Sequence, residues 1–360
     1  FVVALGTYRP LYSFSWAQKL SERKWTDSIK SVFKRQIIEP LEERSLRDQI
    51  PCVTSMQNSI SKSVREQYEE NPYPRWIKTD LAYKSRTLAS VLRGSPLRFD
   101  LGDHVSPESP EILVAGCGTG QHALGTASAY LHAHVLAVDL SLNSLSYALR
   151  KTNELGFSNI EYAQADIMEL GGLERRFDLI ECVGVLHHLG DPLAGWQILV
   201  NLLRPRGLMN IGLYSETARQ HIIEGHSIIA EKGYSVSPED IRRCRQDFIA
   251  MAEDGNPTMA EICNGRNFFS LSECRDLLFH VQEHRFTLPQ IEAALKALNL
   301  KFLGFEMRDQ STLRKFRTSF SEKPVLNSLS EWHKFDLKNP DIVEYAFWCM
   351  KTEVGRLQNS

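Results

Sequence analysis

Hydrophobic and polar positions follow two different rhythms along this chain. Between residues 112 and 214, short apolar runs alternate with longer amphipathic stretches. ILVAG (112–116), HVLAVDL (134–140), IEYAQAD (160–166), FDLIECVG (177–184) and LMNIGLY (208–214) are rich in β-branched and aliphatic residues. Glycine or polar residues bound them, so they predict buried strands. QHALGTASAYL (121–131), SLNSLSYALRKTNELG (141–156) and DPLAGWQILVNLL (191–203) carry apolar residues at helical spacing, and Ser141 stands where a cap belongs. Strand and helix in alternation predict βαβ units and a parallel sheet covered on both faces.

Outside that stretch the rhythm is helical. WTDSIKSVFKRQI (25–37) and MQNSISKSVREQY (56–68) make residues 1 to about 70 read as helices. NPYPRW (71–76) interrupts them, because Pro72 and Pro74 exclude a helix and favour an extended, rigid segment. TDLAYKSRTLASVLRG (79–94) predicts one more helix, and residues 95–110 read as loop. After Tyr214 the alternation stops. Residues from about 216 to 280 read as polar helices with a loop at DGNPTM (254–259). LPQIEAALKALNL (288–300) predicts a helix, and KFLGFEM (301–307) and IVEYAFWCMK (342–351) predict strands.

Composition narrows the classes. The chain has 360 residues, 42% hydrophobic and 24% charged, enough for one large domain or two ordinary ones with a sizeable core. Lys+Arg 42 against Asp+Glu 44 leaves a net charge of −2, so no overall attraction to nucleic acid or anionic membrane is expected. Arg242, Arg243 and Arg245 form a local basic cluster whose plainer reading is a solvated helix face. No apolar run reaches the length of a membrane span. Seven cysteines, an odd number without a C-x-x-C pair, suit a reducing compartment, and a cytoplasmic location is expected. FVVALG lacks the basic leader and cleavage signature of a signal peptide, and a start at Phe1 suggests a piece of a longer protein.

The chemistry gathers at strand ends. The first strand runs into Gly116-Cys117-Gly118-Thr119-Gly120. A glycine-rich turn between strand and helix lets backbone approach a ligand at the carboxyl edge of the sheet. A turn with no ligand is the plainer reading, and the dinucleotide spacing G-x-G-x-x-G is not met, since Gln121 holds its last position. Asp139 ends the second strand, where a carboxylate accepts from ribose hydroxyls. Asp166 ends the third, where it either accepts from an exocyclic amine or caps a helix. His187 and His188 open the loop after the fourth strand, as a base, a substrate-orienting group or packing. NPYPRW offers rings and the cation of Arg75 to a cofactor, or serves as a rigid brace.

VAGCGTG, AVDLS, AQADIMEL and FDLIECVGVLHHLGDP together resemble the class I S-adenosylmethionine-dependent methyltransferases, most of all the ubiquinone/menaquinone-type branch. The flanks QYEENPYPRW and DLLFHVQEHRFTLPQI are similar to a bacterial group in which such a domain follows tetratricopeptide repeats. The resemblance implies an α/β fold: a Rossmann-like, doubly wound, mostly parallel seven-stranded sheet. It implies a helical N-terminal region at 1–78, a cofactor-binding core at 79–213, a helical cap at 214–287 and a last αβ unit at 288–360. The implied cofactor is S-adenosylmethionine. Gly116, Cys117, Gly118 and Gly120 would line its methionine part, Asp139 would bind the ribose and Leu140 would pack by the adenine. Asp166 would bind the adenine amine beside Ile167, Val183 would stand next to the methyl group, and Arg75 would hold the cofactor carboxylate. The family often has an acid before the first glycine, where this chain has Val114-Ala115. The expected acceptor is a small molecule, with a protein side chain and then RNA as alternatives. A cofactor-binding module without turnover is a further reading.

HVQEH (280–284) reads literally as H-x-x-E-H, the spacing of an inverted zinc-peptidase helix. On a helix, His280 and His284 would share one face and Glu283 would act as base. No later glutamate stands in a helical ligand motif, and Cys263 and Cys274 are not at finger spacing. The expectation is therefore no metal and, for His280, Glu283 or His284, a substrate-side or packing role in the cap.

Overall fold

The computed structural model describes residues 2–21, 23–94, 101, 105–306, 310–320, 325–340 and 342–352. Among these, seven strands form one sheet: β1 (Glu111–Ala115), β2 (His134–Asp139), β3 (Ile160–Gln164), β4 (Phe177–Val183), β5 (Leu203–Tyr214), β6 (Leu300–Phe305) and β7 (Glu344–Lys351). Their order is β3-β2-β1-β4-β5-β7-β6. The first five run parallel, and β7 lies antiparallel between β5 and β6. Ile112, Leu113, Leu179, Ile180, Leu208 and Ile211 are fully buried, which explains why these strands read as unbroken apolar runs. The fold is the Rossmann-like, doubly wound one. Strand order reverses beside β1, and the carboxyl ends of β1 and β4 flank the crevice that such a reversal opens.

Caps place the helices. Ser141 Oγ accepts from Ser144 N at 3.0 Å and starts the helix Leu142–Leu155. Asp191 caps Pro192–Leu202, and Thr287 with Gln290 makes a capping box on Leu288–Ala297. Beyond β5, the helices Gln220–Lys232, Pro238–Glu253, Pro257–Asn264 and Leu271–Leu278 close around their own core of Ile222, Ile241, Phe248, Met259, Ile262 and Phe268. Under β6 and β7 an aromatic cluster completes the sheet, with Phe316 stacked on Trp332 at 3.7 Å. Arg242 and Arg243 pair with Glu239 and Asp240 one turn back, as a solvated helix face does. Among the described residues no helix is long and apolar enough to cross a membrane.

Three local expectations are corrected. The helix expected over 79–94 forms only at Leu88–Arg93. Arg86 is held extended by backbone bonds to Ala129 O and from Leu131 N, both 2.9 Å, and Thr87 caps the helix that follows. β5 begins at Leu203 rather than 208, because Leu203 pairs with Phe177 across a register shift that absorbs Arg206 at φ 60°. HVQEH is not helical: the helix before it ends at Leu278. The segment instead runs extended along the end of β5, with His284 N donating to His187 O at 2.7 Å and Phe286 N to Tyr214 O at 2.8 Å. Residues 95–100 and 102–104 of the expected loop lie outside the described residues.

The glycine turn closes tightly on the helix after β2. Gly120 has φ 80°, and a Cβ there would meet Ala148 Cβ at 2.5 Å. Gly120→Ala is therefore expected to cost at least about 2 kcal/mol, from a strained left-handed backbone and a displaced helix. A urea unfolding midpoint that stays at the parent value would contradict this packing.

Candidate active site

The strand carboxyl ends, the segment before β1 and the cap enclose a cavity of about 320 Å³. The glycine turn forms its floor. Gly116 N and Cys117 N both donate to Val138 O, at 2.8 and 2.9 Å, which pins the turn to β2. Gly118 N donates to Asp139 Oδ2 at 2.8 Å, and Ser141 N donates to Oδ1 at 2.9 Å. Burial lifts the Asp139 carboxyl above its ordinary pKa, while the Ser141 and Gly118 N–H groups pull it back. Of its two sequence readings, Asp166 shows the helix cap directly. Its Oδ1 caps a short helix by accepting from Met168 N at 2.9 Å. Its Oδ2 is buried and has no partner among the described residues. A buried carboxylate oxygen without a donor is costly, and this one belongs to a residue of the cavity wall.

NPYPRW lies as a strap across the turn. Trp76 Nε1 donates to Thr119 O at 3.2 Å, and Thr119 Oγ1 donates to Pro74 O. Tyr73 O comes so close that a Cβ on Gly118 would sit 2.6 Å away, so only glycine fits beneath the strap. Tyr73 and Pro74 line the cavity. Arg75 does not: it is exposed, and its charge acts on Glu43 and Tyr147 instead. The role expected for it toward a cofactor carboxylate has no support in its position.

The opposite wall comes from the ends of β4, β5 and β7, the helix Ser59–Glu70 and the cap. His188 lines it and donates from Nδ1 to Gln282 O at 2.7 Å, since a carbonyl can only accept. The neutral ring then carries its lone pair on Nε2. Burial holds its pKa well below the ordinary value. His280 stacks on His188 at 3.6 Å. It accepts at Nδ1 from Gln282 N at 3.1 Å, so its Nε2–H faces Tyr68 OH, also 3.1 Å away. Tyr68 in turn donates to Asp276 Oδ1 at 2.7 Å. Burial raises the Asp276 carboxyl to about 6. Tyr214 completes this wall, with the Arg219 guanidinium 3.7 Å over its ring. Glu283 accepts from Arg219 Nε at 3.2 Å and from its terminal nitrogen at 2.7 Å, and both side chains are buried.

Residues 112–207 match the family model described as a methyltransferase domain. An uncharacterised protein of Synechococcus is 27% identical over 314 residues, 84% of this chain and 74% of that protein. A ubiquinone biosynthesis O-methyltransferase of Paracidovorax citrulli is 28% identical over 151 residues, 41% of this chain and 60% of the enzyme. The solved structure of PKMT2 from Rickettsia typhi in complex with AdoHcy has a TM-score of 0.54 at 15% identity and shares the fold, over 74% of this chain and 54% of that one. The chain thus spans about half the length of that solved neighbour. Residues 112–207 form a class I S-adenosylmethionine-dependent methyltransferase domain.

The methyl donor of such a domain is S-adenosylmethionine, and the residues present fit it. The unpartnered Asp166 oxygen awaits a donor, Asp139 is oriented at the end of β2, and Leu140, Ile167 and Val183 supply apolar surface between them. Gly116, Cys117 and Gly118 also line the methyltransferase cavity, whereas Gly120 does not and serves packing. Of the three histidines expected at the site, His187, His188 and His284, His188 lines it; His122, which pairs with Glu181 at 3.0 Å, lines it as well. His187 is buried behind, stacked 3.7 Å from Tyr214 and accepting from Tyr214 N at 3.3 Å. His284 lies outside the lining, 3.0 Å from the Gln282 amide. Tyr68, Tyr214, Asp276 and Glu344 line the cavity without having been singled out as site residues in the sequence. The end of β5 was a signal for Tyr214; Tyr68 and Asp276 sit on helices far from the strand ends and gave none. Among the described residues no group of three or more His, Cys, Asp and Glu is placed to hold a metal.

Two outcomes follow from the cap network. Glu283→Ala strands the buried Arg219 charge and is expected to cost about 3–5 kcal/mol in urea unfolding; a loss below about 1 kcal/mol would show that Asp276 or water compensates fully. His187, His188 and His280 all have pKa values lowered by burial, His280 to about 4. The unfolded chain therefore binds protons that the folded chain refuses once the pH drops below 6.5, their ordinary value. Their contribution is complete above that pH and is lost on acidification. Asp276, raised from 3.8 to about 6, has the opposite sign but is one group against three. The melting temperature should be lower at about pH 5.5 than at about pH 7.5, and His280→Gln should narrow the gap. An unchanged gap would remove His280 from the cause.

Proposed function

We propose that this chain is an enzyme that transfers the methyl group of S-adenosylmethionine to a small-molecule acceptor. The observation that carries the reading is the buried, unpartnered Asp166 Oδ2 beside a correctly held Asp139, at adjacent strand ends of a methyltransferase domain. Asp139 receives the ribose hydroxyls and Asp166 the adenine amine, with Leu140 and Ile167 on the apolar faces. Gly116, Cys117 and Gly118 offer backbone to the methionine part, and Val183 stands beside the methyl group. The bound cofactor supplies a methyl group activated by its sulfonium. The chain's own tasks are to align the acceptor and exclude water. The strap and cap supply that enclosure: Tyr73, Tyr68 and Asp276 all belong to the cavity wall. His188, neutral and with its lone pair on Nε2, accepts a hydrogen bond from the acceptor and orients it. The same enclosed wall favours a small acceptor over an RNA.

Calorimetric titration with S-adenosylmethionine tests the reading. Asp139→Ala removes charge-assisted hydrogen bonds worth about 1.5–3 kcal/mol, so affinity should fall about ten- to hundredfold. A parent protein that binds no S-adenosylmethionine would end the proposal.

A further inference from the structure

The acceptor half of the cavity carries one sign of charge. Following the strand order, Asp139 and Asp166 stand at the ends of β2 and β3, on the cofactor side of β1. The other two lining carboxylates, Asp276 and Glu344, stand with Tyr68, His188 and Tyr214 on the β4–β5–β7 side. Among the described residues no lysine or arginine lines the cavity. Arg219, packed over the Tyr214 ring, is already matched by Glu283, with both side chains buried. Asp276 is buried and held by Tyr68, and its burial lifts the carboxyl above its ordinary pKa although the Arg219 charge pulls it back. Carboxylates among electron-rich rings form a host for a positive charge and a hostile one for a carboxylate, phosphate or phenolate.

Resting on the methyl-transfer reading above, we propose that the acceptor is an alkylamine that enters as its ammonium ion, seated by Asp276 and Glu344 against the rings of Tyr68 and Tyr214. His188 Nε2 accepts a hydrogen bond from the ammonium, and a second N–H proton passes to solvent before transfer, which frees the nitrogen lone pair. The neutral amine then bonds to the methyl carbon as the carbon–sulfur bond breaks, and that bond's electron pair stays on sulfur. The products are an N-methylammonium and the neutral thioether, with the displaced proton already in solvent. Charge balances, because the sulfonium's positive charge is passed to the methylated nitrogen. The carboxylates that hold the substrate cation therefore also hold the product cation. No oxidant or metal is needed.

The test is binding, so that it does not depend on turnover. The full chain is first titrated with AdoHcy, and the saturated complex is then titrated with n-pentylammonium, 1-pentanol and pentanoate. Pentylammonium should bind at least about tenfold more tightly than the isosteric alcohol, and pentanoate should not bind. Asp276→Asn and Glu344→Gln should each erase most of that preference while leaving the circular dichroism spectrum unchanged. The glutamate variant keeps the test open if the aspartate variant fails to fold. Equal affinity for amine and alcohol, tighter binding of pentanoate, or no binding of any probe to the AdoHcy complex overturns the amine assignment. Failure of AdoHcy and S-adenosylmethionine to bind overturns the parent reading instead. Nα-acetyllysine amide, titrated in parallel, tells a free amine from one carried on a peptide.

Discussion

The backbone of the glycine turn has to be held rigid while leaving its ligand face open, and the rest of the site depends on that constraint. One carbonyl, Val138 O, takes two of its N–H groups, and the Asp139 carboxylate takes a third at Gly118. The same carboxylate holds Ser141 N, so one side chain ties the ends of β1 and β2 to the start of the next helix. Over this turn lies the strap, whose Tyr73 carbonyl leaves room for no side chain at position 118. Turn, strap and Asp139 are one mechanical unit. Any substitution in it acts on both stability and the cofactor site.

The second unit is the extended HVQEH segment. With Phe286 just after it, the segment fastens the cap to the loop after β4 and to the end of β5 by backbone bonds, and its own groups then act differently. Gln282 O sets the tautomer of His188. His280 stacks on that ring and supports Tyr68, which orients Asp276. Glu283 neutralises Arg219, whose guanidinium covers Tyr214. A string with the spacing of a metal motif thus serves as the scaffold of this cavity wall. Its work is done by hydrogen bonds and stacking in a dry interior, where an unmatched polar group is expensive.

Much of the fold was legible, and for local reasons. Strands buried on both faces must be apolar throughout, so five of them stood out between residues 112 and 214. Ser141 caps the helix it was expected to cap, and Asp166 takes the cap that was one of its two readings. The failures were equally physical. Residues 79–87 have helical composition but are drawn extended by backbone bonds from Arg86 to Ala129 and Leu131, more than forty positions away. Arg75 sits in the right segment and faces the wrong way, because the residues beside it, Pro74 and Trp76, are the ones anchored to the turn.

What the sequence determined by itself was the sheet, its glycine turn and the two acids at the ends of β2 and β3. Each is set by period, by a residue with special backbone freedom, or by position at a strand end. Only the tertiary structure decided that His188 meets the cavity and His187 does not, that HVQEH is not a helix, and that Tyr68 and Asp276 join Tyr214 on one wall. Those outcomes rest on contacts such as Tyr68 to Asp276, 208 residues apart. No local pattern encodes such a pairing, because the energy that selects it comes from burial and from matching polar groups once the whole chain has closed.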